Sequence, residues 1–237
     1  MPSIQLKDLG TMPYEKAFDF QLLHFETIKK LKILKREGKT LLETPNFFFF
    51  VTHPHVYTLG KNGDESNILL SKAQRNKQDI AFYKSNRGGD ITYHGPGQIV
   101  GYPIVDLDHF FSDIHKYMRL LEEVIIRTID EYGLKGERSE GETGVWLDAG
   151  TPQARKICAL GVHTSRWVTM HGFALNVNTD LHFFDGIIPC GIRGKGVTSI
   201  AEELHKSIDE SRVKKAILKH FSEIFQAEFT KYQGIDY

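Results

Sequence analysis

The chain has 237 residues, enough to bury a sizeable core, and its 41% hydrophobic and 25% charged residues lie close to the globular average, which excludes a disordered, collagen-like or low-complexity protein. Thirty Lys and Arg balance thirty Asp and Glu, so no global basic field is present to hold nucleic acid. The two cysteines, Cys158 and Cys190, are too few for a disulfide scaffold and lack the Cys-x-x-Cys spacing of a zinc or redox site, which points to a reducing compartment.

The N-terminus MPSIQLKDLGTMPYEK carries acids and lysines where a signal peptide needs an apolar stretch. Segments free of charged residues, 46–60 and 91–105, contain His, Pro and Gly and fall short of the roughly 20 apolar residues of a membrane span. A cytoplasmic protein without membrane association is expected.

From Pro13 to Glu37 the apolar residues Phe18, Leu22, Phe25, Ile28, Leu31 and Leu34 recur at helical spacing, with Gly38 as the stop. Its other face carries Lys29, Lys30, Lys32, Lys35 and Arg36, either a solvated face or a weak docking signal for an acidic partner. Asn46–Thr52 (NFFFFVT) is a short apolar run bounded by Pro45 and His53-Pro54 and reads as a buried strand, continued by Val56–Leu59. Further strands are expected at Ile80–Tyr83, Ile99–Val105, Val145–Leu147, Ile157–Val162 and Phe173–Val177. A second amphipathic helix runs through Ile114, Tyr117, Leu121, Val124, Ile125, Ile129 and Tyr132, opened by Ser112 or Asp113 and closed by Gly133. Lys135–Glu142 reads as a surface loop. Ser199-Ile-Ala-Glu202 has capping-box spacing for a short helix, and Val213, Ile217, Phe221, Ile224 and Phe225 mark the last one.

Three segments carry chemistry-bearing residues. Arg87-Gly-Gly-Asp-Ile-Thr-Tyr-His94-Gly-Pro-Gly-Gln98 lets backbone approach a ligand, with Arg87 and His94 as donors, although a Gly-rich segment alone is more often a structural turn. It has neither the Gly-Lys-Ser/Thr of a P-loop nor a GxGxxG. In Lys156-Ile-Cys-Ala-Leu-Gly-Val162 strand alternation would place Lys156 and Cys158 on one face and Ile157 and Ala159 on the other. The lysine either snorkels its amine into water or presents a partly buried amine to a reaction. Between Pro189 and Gly191, Cys190 reads as a cysteine at a strand end or turn, open to a substrate, or else as a small buried hydrophobe, a reading that suits Cys158 better. Despite eleven histidines, Pro54 within His53-Pro-His55 argues for a turn and no second pair has zinc spacing, so no metal is expected.

In this order, RGGDITYHGPGQIVGYPIVDL, KICALGV and SRWVTMHGFALNVNTDLHFFDGIIPCGI resemble the signatures of the octanoyltransferases, or lipoyl(octanoyl) transferases, of lipoate biosynthesis. The resemblance covers roughly Asn46 to Glu203; the first and last helices match only in general character. It implies an α/β fold of α+β type, a mixed sheet flanked by helices as in the catalytic domains of lipoate and biotin ligases, with residues 1–237 forming one catalytic domain. It further implies that Cys190 is the acyl-carrying nucleophile and Lys156 its partner. Acyl-chain and substrate contacts then fall on Arg87, Gly88, Gly89, Asp90, Ile91, Thr92, Tyr93 and His94, on Ala159, Leu160 and Gly161, and on Gly172, Phe173 and Ala174.

The implied reaction takes octanoyl from acyl carrier protein and passes it to lysines of lipoyl domains, those of 2-oxoacid dehydrogenase complexes and of the glycine cleavage system, with no cofactor and as a monomer. Thioester to amide is downhill and needs no nucleotide, in keeping with the missing Walker motif. Local charge at Arg193 and Lys195 would meet the acidic carrier. The alternatives are an ATP-dependent lipoate or octanoate ligase, which would not require Cys190, a non-catalytic lipoyl-domain binder, and a cysteine hydrolase. Cys158 departs from the plain aliphatic expected at its position and offers a second thiol near Lys156.

Overall fold

The computed structural model describes residues 1–189 and 195–234; Cys190 and Arg193, singled out by the sequence, lie outside the described residues. In chain order the first half forms β1 (Ser3–Thr11), α1 (Tyr14–Arg36), β2 (Phe47–Thr52), β3 (Val56–Leu59), α2 (Lys72–Lys77), β4 (Ala81–Lys84), β5 (Ile91–His94) and β6 (Gln98–Ile104). The second half forms α3 (Ile114–Asp130), β7 (Glu137–Ser139), β8 (Glu142–Leu147), β9 (Arg155–Ser165), β10 (Val168–Asn176), β11 (Gly196–Val197), α4 (Ile200–Leu204), α5 (Glu210–Phe225) and β12 (Glu228–Lys231).

Nine strands make one mixed sheet in the order β12-β1-β2-β6-β10-β9-β8-β7, with β11 beside β9. A separate three-stranded sheet, β4-β3-β5, was not foreseen from the sequence. The all-apolar reading of β2 follows from its place inside the large sheet, buried on both faces. Phe48 and Phe50 pack with α3 and α5 through Leu121, Val213 and Phe221, while Phe47, Phe49 and Val51 face Ala17, Phe20, Phe25 and Ile28 of α1. Among the described residues no helix is long and apolar enough to cross a membrane.

Local chemistry settles the helix ends. Asp113, not Ser112, caps α3 by accepting from Lys116 N–H at 3.0 Å, and Ser199 caps α4 from Glu202 N–H at 3.1 Å. The loop expected at Lys135–Glu142 instead contains β7, which pairs with β8. It is held by Glu122, a fully buried carboxylate that accepts from Arg119 at 2.7 Å, Arg138 at 3.2 Å and the Gly144 N–H at 3.1 Å. On α1 the buried stripe keeps Phe25 and Ile28 of the expected apolar series and adds Ala17, Phe20, Gln21 and His24, while Leu31 and Leu34 are only partly buried. Both polar residues are tolerated because they are bonded: Gln21 accepts from His171 N–H at 2.9 Å, and His24 bonds Phe20 O and the Tyr232 hydroxyl. The basic run of α1 is largely neutralised by the chain's own acids, Lys29 by Glu26, Lys32 by Asp106 and Asp108, and Lys35 by Glu43.

Candidate active site

The small sheet has two unlike faces. Tyr57, Leu59, Ile91 and Tyr93 form an apolar core with Phe184 and Ile187, leaving Thr92 and His94 on the opposite face. That face looks onto β9 and β10, and between them lies a cleft enclosing about 500 Å³ of space, its open mouth included.

Arg87, Gly89, Asp90, Ile91, Thr92 and His94 line it from the Gly-rich segment, Lys156, Ala159, Leu160 and Gly161 from β9, and Gly172, Phe173 and Ala174 from β10. Two residues named from the sequence are not on this wall. Tyr93 points the other way, stacked on Phe183 with ring centroids 5.2 Å apart and bonded to His55 at 2.8 Å, because strand alternation opposes it to Thr92. Gly88 serves as a backbone tie, its N–H donating to Val162 O at 2.9 Å. Tyr14, Val100, Tyr102 and His171 also line the cavity and were not singled out from the sequence. For His171 a signal was available, since it directly precedes the Gly172–Ala174 segment.

A bulge in β9 places Lys156. Val145 pairs with Cys158 but Trp146 pairs with Lys156, so Ile157 is the extra residue and the simple alternation breaks. Ile157 and Cys158 both enter the α3/α5 core, and Lys156 moves to the cavity face with Ala159 and Gly161. The expectation that Lys156 and Cys158 share a face is thereby corrected. Cys158 is 1% exposed, and burial pushes its thiol far above the ordinary range despite the nearby Lys156 charge, so it is a neutral core residue.

Lys156 itself is buried, its Nζ 4.6 Å from the centroid of the Trp146 ring, a cation–π contact. Its stem runs over Gly144, where an added Cβ would lie 3.2 Å from Lys156 Cε and 2.9 Å from Cys158 O. Gly144 also holds φ +134°, which only glycine adopts readily. Lys195 sits 5.0 Å from the same indole and is ion-paired to Glu142 at 2.7 Å, so its charge, offered by the sequence to an acidic partner, is already engaged. Partial burial pushes the Glu142 carboxyl up, but its bonds to Lys195 and Ser139 and the nearby Lys156 charge outweigh this and hold it low.

A directed hydrogen-bond chain fixes the opposite wall. Arg87 Nη2 donates to Thr58 O at 2.7 Å and to Thr58 Oγ1 at 2.9 Å. The Thr58 hydroxyl donates to His94 Nε2 at 3.1 Å, and His94 Nδ1 donates to Gln98 Oε1 at 2.8 Å. Gln98 donates to Asn176 Oδ1 at 2.9 Å, and Asn176 donates to Thr198 O at 2.9 Å. Thr198 N–H in turn bonds Lys156 O at 3.0 Å, closing the link between the two walls. This arrangement requires neutral His94, and burial, with His53 and Arg87 nearby, pushes its pKa well down.

The walls approach closely at Gly161, where an added Cβ would stand 2.8 Å from Gly88 O. Gly161→Ala is therefore expected to push the Gly-rich segment off β9 and to lose about 1–3 kcal/mol of stability. Thermal unfolding of the variant checks this; an unchanged melting temperature would show that the contact has slack.

Residues 31–222 match the family model for the lipoyl protein ligase A/B catalytic domain. An octanoyltransferase of Christiangramia forsetii is 62% identical over 231 residues, covering 97% of this chain and 98% of that protein. The chain belongs to the octanoyltransferase family. Membership makes acyl transfer its class of activity. Among solved structures, a bi-partite lipoate protein ligase from Thermoplasma acidophilum matches with a TM-score of 0.71 at 17% identity, covering 98% of this chain and 87% of that one. Biotin protein ligase from Aquifex aeolicus matches with a TM-score of 0.52 at 13% identity, covering 94% and 70%. These two likenesses establish the octanoyltransferase fold as that of the ligase catalytic domains.

Proposed function

We propose that the protein takes an octanoyl group from the thioester of octanoyl-acyl carrier protein onto Cys190 and passes it to a lysine amine of a lipoyl domain. The whole chain acts as one catalytic domain in the cytoplasm, without nucleotide or metal. The carrying observation is the buried Lys156 amine at a largely apolar cavity in a chain of this family. Pro189, the residue before Cys190 in the sequence, and Lys156 both line an adjoining cavity.

In the first step Cys190 gives its proton to Lys156 and its sulfur bonds the carbonyl carbon, the carbon–sulfur bond to the carrier breaks, and the leaving thiolate takes the proton from the Lys156 ammonium. In the second the lipoyl lysine attacks the same carbon, an amide forms as the carbon–sulfur bond to Cys190 breaks, and the proton lost by the amine passes through Lys156 to the released Cys190 sulfur. Arg87, Gly89, Thr92 and His94 with Ala159, Gly161, Gly172 and Ala174 shape the acyl site. Gly88 holds its backbone, and Tyr93 supports it from the small sheet's core.

Intact mass after incubation with octanoyl-acyl carrier protein tests this. Wild type and Cys158→Ser are expected to gain an octanoyl adduct that chases onto an added lipoyl domain, and Cys190→Ser is expected to gain none. An adduct on Cys158, or transfer by Cys190→Ser that requires ATP and free octanoate, would overturn the reading.

A further inference from the structure

The adjoining cleft meets the first at Thr92, Lys156, Ala159 and Ala174, which line both. The alanine side chains cannot hydrogen-bond, so the junction offers two polar side chains, the Lys156 amine and the Thr92 hydroxyl. Thr92 is 6% exposed, yet among the described residues its hydroxyl has no hydrogen-bond partner. The hydroxyl is also reachable from the cavity, unlike the orphaned His171 Nδ1 and Gln21 Nε2, which are sealed.

Its neighbour sharpens the contrast. Thr58 stands directly opposite Thr92 across β3 and β5, but its hydroxyl both accepts from Arg87 and donates to His94. The Thr92 hydroxyl is committed to no group of the described residues, so it is free to bond whatever enters the cavity, whereas valine would fill the same strand position without a donor. The geometry points to a group whose partner arrives with the ligand.

Resting on the proposed transfer reaction, we infer that Thr92 donates a hydrogen bond to the acyl carbonyl oxygen as it becomes an oxyanion. When the nucleophile's sulfur bonds the carbonyl carbon, the C=O π pair moves to oxygen. Thr92 keeps its proton and stabilises that charge. When the pair returns, the carbon–sulfur bond to the carrier breaks, and the leaving sulfur takes its proton from Lys156. Attack by the lipoyl amine regenerates the same oxyanion, so Thr92 acts in both steps.

Single-turnover and steady-state kinetics of wild type, Thr92→Val and Thr92→Ser test this, with melting temperatures measured alongside. Thr92→Val is expected to lower kcat roughly 10²–10³-fold with little change in KM for the octanoyl donor. Its melting temperature should change little, because valine keeps the shape of threonine and no bond to a described residue is lost. Thr92→Ser should recover most of the rate. Wild-type kcat in Thr92→Val, a loss that Thr92→Ser shares, or an effect confined to KM would each overturn the role. Wild type that moves no octanoyl would instead overturn the reaction on which it rests.

Discussion

Replacing Lys156 by methionine is expected to slow octanoyl transfer by roughly 10²–10⁴-fold, the usual worth of a positioned acid–base group. Methionine follows much of the lysine stem over Gly144 and against Trp146, so the fold should survive and the loss should be kinetic. The magnitude separates two roles. A cysteine of ordinary pKa ~8.5 is about 3% ionised at pH 7, and bringing it to ~7 would raise the thiolate population about fifteenfold, or ~1.6 kcal/mol. A loss of 10⁴-fold corresponds to about 5 kcal/mol, more than thiolate stabilisation supplies. Lys156→Arg discriminates further, because guanidinium keeps the positive charge but does not give up its proton. If proton transfer dominates, Lys156→Arg is nearly as slow as Lys156→Met in both acylation and transfer to the lipoyl domain. An arginine variant with most of the wild-type rate would reduce Lys156 to a fixed charge.

Acid is expected to unfold this protein early, starting below about pH 6.5. Burial pushes His53 down to about 4 and His171 down to about 3, and His94 lies well below its ordinary value for the same reason. Each is held neutral: His53 donates to Met12 O and accepts from the Tyr102 hydroxyl, both at 2.8 Å, and His171 donates from Nε2 to Asn86 Oδ1 at 2.6 Å. The folded pKa values are depressed, so the unfolded chain binds protons first as pH falls. Stability is therefore complete above about 6.5 and is lost as pH drops toward 4 and then 3. At about 1.4 kcal/mol per pH unit for each histidine, the loss reaches several kcal/mol by pH 5, a large part of a typical total of 5–15 kcal/mol. Urea unfolding at pH 8, 7, 6 and 5 should show a plateau followed by this fall. His53→Gln, which can offer one donor and one acceptor, should make it shallower by about a third, with His94 and His171 still titrating; equal wild-type stability at pH 7.5 and 5 would refute the account.

Much of the framework was legible because its causes are local. The NFFFFVT run reads as a buried strand and is one, and Asp113, Gly133 and Ser199 carry their helix-end chemistry in their own side chains or backbone freedom. In their described parts, the three motifs read as chemistry-bearing line the two facing walls of one cavity. The first strand, the short α2 and the C-terminal β12 escaped notice, since each gains its stability from pairing or packing rather than from a strong pattern of its own.

The face that Lys156 takes was decided by tertiary structure alone. A one-residue bulge opposite Trp146 reverses the parity that alternation predicts, and it exists only because β8 supplies the register. Likewise Tyr93 and Thr92 are adjacent and equally polar in sequence, yet pairing with β3 sends one into a core and the other to the junction of two cavities. Sequence by itself determined which segments become helix or strand and which residues can do chemistry, because propensity, capping and reactivity belong to the residue and its near neighbours. Which side of a strand reaches the cavity, and which hydroxyl stays unpaired there, depend on partner strands distant in the chain, and only the assembled sheets decide them.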